Sequence, residues 1–265
     1  MTYYSGVSFK RSLDIQFRVI GALLMREVIT RYGRHNIGFL WLFLEPMIFT
    51  GGVATLWTLL GQSHGADLPV AAFALTGYSC VLLFRNMPNR CSSAIGPNLA
   101  LMYHRNVKPI DIYLARILLE IAGTTASFFV LGCIFTAIGM TEPPDDILKI
   151  MCGWLMIAWF GSGLALLIGA LSERSELVEK IWHPISYLIF PLSGVAFMVH
   201  WLPLASQKYI ILMPTIHGIE LLREGYFGPS IHAQYDMSYM AIVNLCLTFL
   251  GLYQVRVISK TVMSQ

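Results

Sequence analysis

The chain has 265 residues, of which 56% are hydrophobic and 12% charged, and its formal net charge is +3. Soluble domains carry about 25% charged residues, so a water-exposed globule is excluded, because too little polar surface remains to coat one. The composition specifies a polytopic membrane protein, and the small positive charge reflects topology rather than nucleic-acid binding.

Residues 1–18 hold no apolar core followed by a small-residue cleavage site, so the first spanning helix is expected to direct insertion. Residues 12–32 read as an amphipathic helix in the membrane interface. Leu13, Phe17, Ile20, Leu24 and Val28 form one stripe at helical spacing. Val19, Leu23 and Ile29 fall off it, which predicts burial against protein as well as lipid. Lys10, Arg11, Arg18, Arg26, Arg31 and Arg34 make this end basic, as suits an anionic leaflet.

Six apolar runs follow, each long enough to cross about 30 Å of hydrocarbon at 1.5 Å per residue. They fall at 37–60, 70–87, 117–138, 147–171, 181–199 and 237–257. The first contains Glu45 followed by Pro46. A carboxylate inside a spanning helix is expensive and marks a functional candidate. Two readings stand side by side: a kink whose glutamate finds the interface or a basic neighbour, and a gate on an aqueous path.

The connections differ in character. Residues 61–69 and 140–146 are short turns, the second acidic and broken by Pro143 and Pro144. Residues 96–106 form a short helix with Pro97 suited to its first turn, showing Leu99, Met102 and Tyr103 to one side. Arg116 and Glu120 sit four apart where the third span starts, which predicts an ion pair along the helix. Gly161, Ala165 and Gly169 let another helix approach the fourth span, within the chain or across a dimer. Residues 200–229 are too apolar for a loop and are cut by Pro203 and Pro214, which predicts interfacial or re-entrant helices. Glu220, Arg223 and Glu224 share one face there, as a surface ion-pair set or as a gate at the external mouth.

With the N-terminus inside, fifteen of the eighteen lysines and arginines face the cytoplasm, and Lys149, Lys208 and Arg223 do not. This positive-inside bias predicts that both termini are cytoplasmic. The five cysteines have no C-x-x-C spacing and read as small packing residues. The seven histidines lack ligand spacing, so no metal is expected. No phosphate-binding G-x-x-x-x-G-K-[ST], H-E-x-x-H or G-x-S-x-G sequence occurs.

The run Arg31-Tyr-Gly-Arg-His-Asn-Ile-Gly-Phe-Leu-Trp-Leu-Phe-Leu-Glu-Pro46 and the later Ile216-His-Gly-Ile-Glu-Leu-Leu-Arg-Glu-Gly225 carry a resemblance. With the amphipathic start, six spans and broken helices before the last, the chain resembles the ABC-2 permeases. Within them it looks like the inner-membrane permease of capsular polysaccharide exporters (KpsM type). The resemblance implies an all-α fold of six transmembrane helices forming one domain over 1–265, in the bacterial inner membrane, and a homodimer with the conduit between protomers. The chain would be no enzyme: ATP and Mg2+ would bind a separate dimer of P-loop ATPase subunits.

Residues 96–106 would be the coupling helix on that ATPase, through Asn98, Leu99, Met102, Tyr103 and Arg105. Arg26, Arg31, Arg34, Trp41 and Glu45 would line a substrate entrance, and Glu220, Arg223 and Glu224 a periplasmic gate. The substrate would be a lipid-linked anionic polysaccharide, handed to a periplasmic co-polymerase and an outer-membrane channel. Export of another glycan such as O-antigen or teichoic acid, export of a lipid or drug, and a membrane-embedded transferase are the alternatives.

Overall fold

The computed structural model describes residues 9–33, 40–60, 68–104 and 107–262. Where lipid replaces water, backbone polar groups must be satisfied within the segment, and helices do this. Among the described residues every regular element is helical.

Helix α1 (Phe9–Tyr32) lies against α5 and ends at Gly33, whose positive φ of 83° lets its N–H reach Ile29 O at 3.0 Å. Its stripe divides. Leu23 is buried and Val19 and Leu24 pack on the core, whereas Phe17 and Met25 stay 71% and 64% exposed. Helix α2 (Trp41–Leu59) buries Leu42, Pro46, Thr50 and Ala54, one residue per turn, against α3 and α5.

Two helices form the centre. Helix α3 (Val70–Cys91) is buried along most of its 22 residues, so it is a crossing helix wrapped by protein rather than lipid. Helix α6 (Ile147–Arg174) packs along α3, α9 and α10. Its Gly161, Ala165 and Gly169 face α3 within the same chain: a Cβ on Gly161 would sit 2.9 Å from Phe84 Cα, and one on Gly169 3.0 Å from Cys91 Cβ.

Several helix ends are set by caps that hydropathy does not register. Helix α5 (Pro109–Ala137) starts eight residues before the apolar run at 117, because Pro109 opens it and the Asp111 carboxylate accepts the Lys108 N–H at 3.0 Å. Asp146 caps α6 by accepting from Leu148 N at 2.9 Å and Lys149 N at 3.2 Å. The short coupling candidate is a 3-10 turn, Gly96–Asn98, running into α4 (Leu99–His104).

The run expected at 181–199 is helical as α7 (Glu176–Leu192), which stops before Gly194 with φ of 88°. Five described helices, α2, α3, α5, α6 and α10 (Met237–Val262), are long and apolar enough to cross a membrane. Helix α7 has 17 residues, begins on Glu176, Glu179 and Lys180, and contains Pro184 and Pro191. The protein is thus multi-pass, with regular structure that is all helical among the described residues. Between α7 and α10 lie α8 (Leu204–Ile210) and α9 (Pro214–Phe227), the latter buried among α3, α6 and α10.

The centre is specified by close approach. Gly161→Ala is expected to lower the melting temperature of the detergent-purified protein by several degrees, reflecting overpacking of about 1–3 kcal/mol. Gly132→Ala, whose Cβ would meet Leu75 at an ordinary 3.6 Å, is expected to leave it unchanged.

Candidate functional site: an arginine-lined cleft at the basic end

The N-terminus of α5 and the C-termini of α3, α6 and α10 meet at one end of the bundle, where α1 lies against α5. This basic end contains a cleft of about 390 Å3. Arg26, Glu27 and Arg31 of α1, Asn89 and Arg90 of α3, and Arg116 of α5 line it, with Ser92, Pro97 and Asn98 from the following linker.

Glu120 sits behind the cleft with its side chain 7% exposed. Arg31 Nη1 donates to its Oε1 at 2.5 Å, and Arg90 Nε lies 3.4 Å from the same oxygen. Glu27 stands on the other side of Arg31, 3.8 Å away, and 3.1 Å from Arg116 Nε. Arg116 Nη1 also donates to Arg90 O at 2.5 Å. Arg116 and Glu120, placed four apart for a pair along one helix, therefore reach to other helices instead. Gln16 adds a further tie, donating to Asp111 Oδ1 at 3.1 Å.

Glu45 is not isolated. Its Oε1 is 3.6 Å from Arg90 Nη2, in a side chain that remains 59% exposed. Trp41 stands one turn away at the start of α2 and is 49% exposed. Arg34 and Arg105 lie outside the described residues.

The linker after α3 is held from behind. Glu173 of α6 accepts Ile95 N–H at 2.7 Å, and Ser93 Oγ donates to Glu179 of α7 at 2.5 Å. Asn98 is buried, accepts from Arg26 and donates to Ala94 O at 2.8 Å, so it anchors the short helix. Leu99 is 38% exposed, while Leu101 and Met102 lean on the core. Tyr103 lies on the same short helix.

The cleft is strongly cationic. Four arginines line it with one carboxylate, and Arg26 has no carboxylate partner among the described residues. Ser92 Oγ is buried there without a hydrogen-bond partner. Guanidinium groups match phosphate and carboxylate oxygens in pairs. The arrangement suits a bound anion and offers neither a nucleophile–base pair nor, among the described residues, a metal-ligating group.

At the opposite end, Glu220, Arg223 and Glu224 separate. Arg223 and Glu220 are buried rather than on the surface. Arg223 donates to the carbonyls of Gly194, Val195 and Phe197, each at 2.7 Å, with Phe73 stacked 3.7 Å from its carbon centre. Burial pulls its pKa down to about 10. Glu220 accepts Val199 N–H and Gln234 N–H, each at 3.0 Å, and burial pushes its pKa up against these bonds. Glu224 bonds Lys149 at 2.8 Å, and that bond holds its pKa down.

The sequence reading left Glu27 and Arg90 out of the site, because Arg116 for Glu27 and Glu120 for Arg90 lie on another helix. Their signals were charge at the ends of apolar runs and, for Glu27, its place four residues before Arg31. The buried hub makes a test possible. Glu120→Gln takes from Arg31 and Arg90 the buried carboxylate they share and is expected to destabilise the purified protein by about 3 kcal/mol, whereas Glu45→Gln is expected to cost under about 1 kcal/mol. Thermal unfolding in detergent distinguishes the two.

Residues 18–227 match the ABC-2 type transporter family. The chain is 44% identical over 258 residues to the capsule polysaccharide export inner-membrane protein CtrC of Neisseria meningitidis serogroup B, covering 97% of each chain. It is 40% identical over 265 residues to the capsule polysaccharide export inner-membrane protein BexB of Haemophilus influenzae, covering all of both. The polysialic acid transport protein KpsM of Escherichia coli is 26% identical over 243 residues, 92% of this chain and 94% of that one. The chain belongs to the ABC-2 type transporter family.

Proposed function

We propose that this chain is the membrane-spanning permease of an ATP-driven exporter, moving a lipid-linked capsular polysaccharide across the bacterial inner membrane. Full-length similarity to CtrC and BexB supports the assignment to capsule export. The observation that carries the site is the cleft, with four arginines, one carboxylate and an unpartnered buried hydroxyl. An anionic polymer with a phosphate-bearing lipid anchor matches it in charge and donor geometry.

In this reading the basic end faces the cytoplasm, as the distribution of lysine and arginine favours. Helix α7 makes the sixth crossing, its 17 residues standing at the short end of the spanning range. Both termini are then cytoplasmic. Arg26 receives the anchor, with Arg31, Trp41 and Glu45 around the entrance, and the sequence assigns Arg34 the same role. The segment 96–106 presents Leu99 to a separate P-loop ATPase dimer that binds ATP and Mg2+, Asn98 and Met102 brace it from within, and the sequence adds Tyr103 and Arg105 as docking candidates. Two copies of the chain enclose the conduit. The Glu220, Arg223 and Glu224 region shapes the periplasmic exit, where a co-polymerase and an outer-membrane channel take over.

Arg26→Glu is the informative change, because Arg26 faces the cleft without holding a buried carboxylate. It is expected to lower surface polymer at least about tenfold, the value of one charge-assisted hydrogen bond. Membrane abundance and co-purification of the ATPase are expected to stay normal. Unchanged surface polymer, measured by immunoassay, would remove the entrance role.

A further inference from the structure

A second basic groove lies at the same end of the bundle on a different surface, between the start of α5 and the end of α10. Its volume is about 320 Å3. Lys108, Arg256 and Lys260 supply three positive charges and Ser259 a hydroxyl, and no carboxylate lines it. None of the three cations has an ion-pair partner among the described residues. Ile110, Leu252 and the buried Val255 give the groove an apolar wall.

The groove continues into an outward stripe of α10. Ile242, Leu245, Phe249 and Leu252 are 60%, 58%, 72% and 47% exposed, at intervals of three, four and three residues. They share one face of the helix, and Arg256 and Lys260 follow on it at four-residue steps. Ile242 to Leu252 spans about 15 Å along the axis, the depth of half a ~30 Å hydrocarbon core. The surface thus has an acyl-length apolar track ending in a cluster of cations at headgroup level.

We propose that this groove is a binding site for an anionic phospholipid of the bilayer, its phosphate held by Lys108, Arg256 and Lys260 and an acyl chain along the α10 stripe. Charge complementarity selects an anionic headgroup over a zwitterionic one. The apolar track selects an amphiphile over free phosphate. The site is separate from the arginine cleft and does not depend on what that cleft transports.

Native mass spectrometry of the purified permease assembly tests this, with phosphatidylglycerol and phosphatidylcholine added in parallel. The wild-type protein is expected to bind phosphatidylglycerol at least about tenfold tighter, given roughly 1 kcal/mol for each cation near an anionic headgroup. Arg256→Gln/Lys260→Gln keeps much of the stems on the surface and is expected to abolish the preference, with melting temperature unchanged. Lys108→Gln is expected to weaken it severalfold. Lys180→Gln, on an exposed residue paired with Glu176, is expected to leave it intact.

Retention of the preference in the double variant would overturn the site. Protein from cells unable to synthesise the polymer is expected to carry the same phospholipid. A lipid present only in polymer-producing cells would reassign the groove to the substrate's anchor. A photo-crosslinker at Ser259 is expected to capture lipid, and capture of the ATPase or of a second copy in its place would overturn the proposal.

Discussion

A carboxylate held almost out of water at the end of a membrane helix must be matched by cations. Glu120 is matched by Arg31 from α1 and Arg90 from α3, both at one oxygen. That requirement ties α1 and two bundle helices to a single point. Removing the carboxylate would leave two guanidiniums in competition for Glu27 and Glu45, which already serve Arg116 and Arg90. The cleft in front of Glu120 keeps its shape because the cations along its wall are held from behind, while Arg26 stays directed to a neutral asparagine.

The far end solves the same problem by another route. The chain just after α7, residues 193–198, leaves helical geometry, and its carbonyls need donors. Arg223 supplies three from one planar group, and Gly77 of α3 leaves room for it: a Cβ there would meet Arg223 Nη2 at 2.8 Å and Val195 O at 2.6 Å. Glu220 satisfies the N–H groups on either side, at Val199 and Gln234. One end is thus built on charge pairing between helices. The other is built on buried charged side chains that replace missing backbone partners. Helix α6 joins them, with glycines that bring α3 close at Gly161 and α9 close at Gly153.

Apolar runs made the helices at 70–91 and 147–174 legible from sequence, because hydropathy is a local property. Their ends were less so, since Asp111 and Pro109 extend α5 well before its apolar stretch. Helix α7 was misplaced toward its C-terminus because the run through Val199 is apolar, although Gly194 ends the helix. At the site, the arginines near α1 stood out in the sequence, but their partners did not. Arg116 and Glu120 satisfied the spacing rule for a helical pair but found partners on other helices, Glu27 and Arg31 of α1 and Arg90 of α3. Arg223 and Glu220 looked like surface charges because burial of a guanidinium depends on carbonyls that only the folded loop presents. Spacing describes one helix, whereas these contacts belong to the packing of several.

The most direct test places a photoreactive amino acid at Thr30, which lines the cleft and is exposed, in cells making the polymer. The expected product is a permease covalently joined to glycan, removed by a polymer-degrading enzyme and lost on Arg26→Glu. Crosslinks to protein or bulk phospholipid alone, with none to glycan, would contradict the role of the cleft as the polymer's entrance.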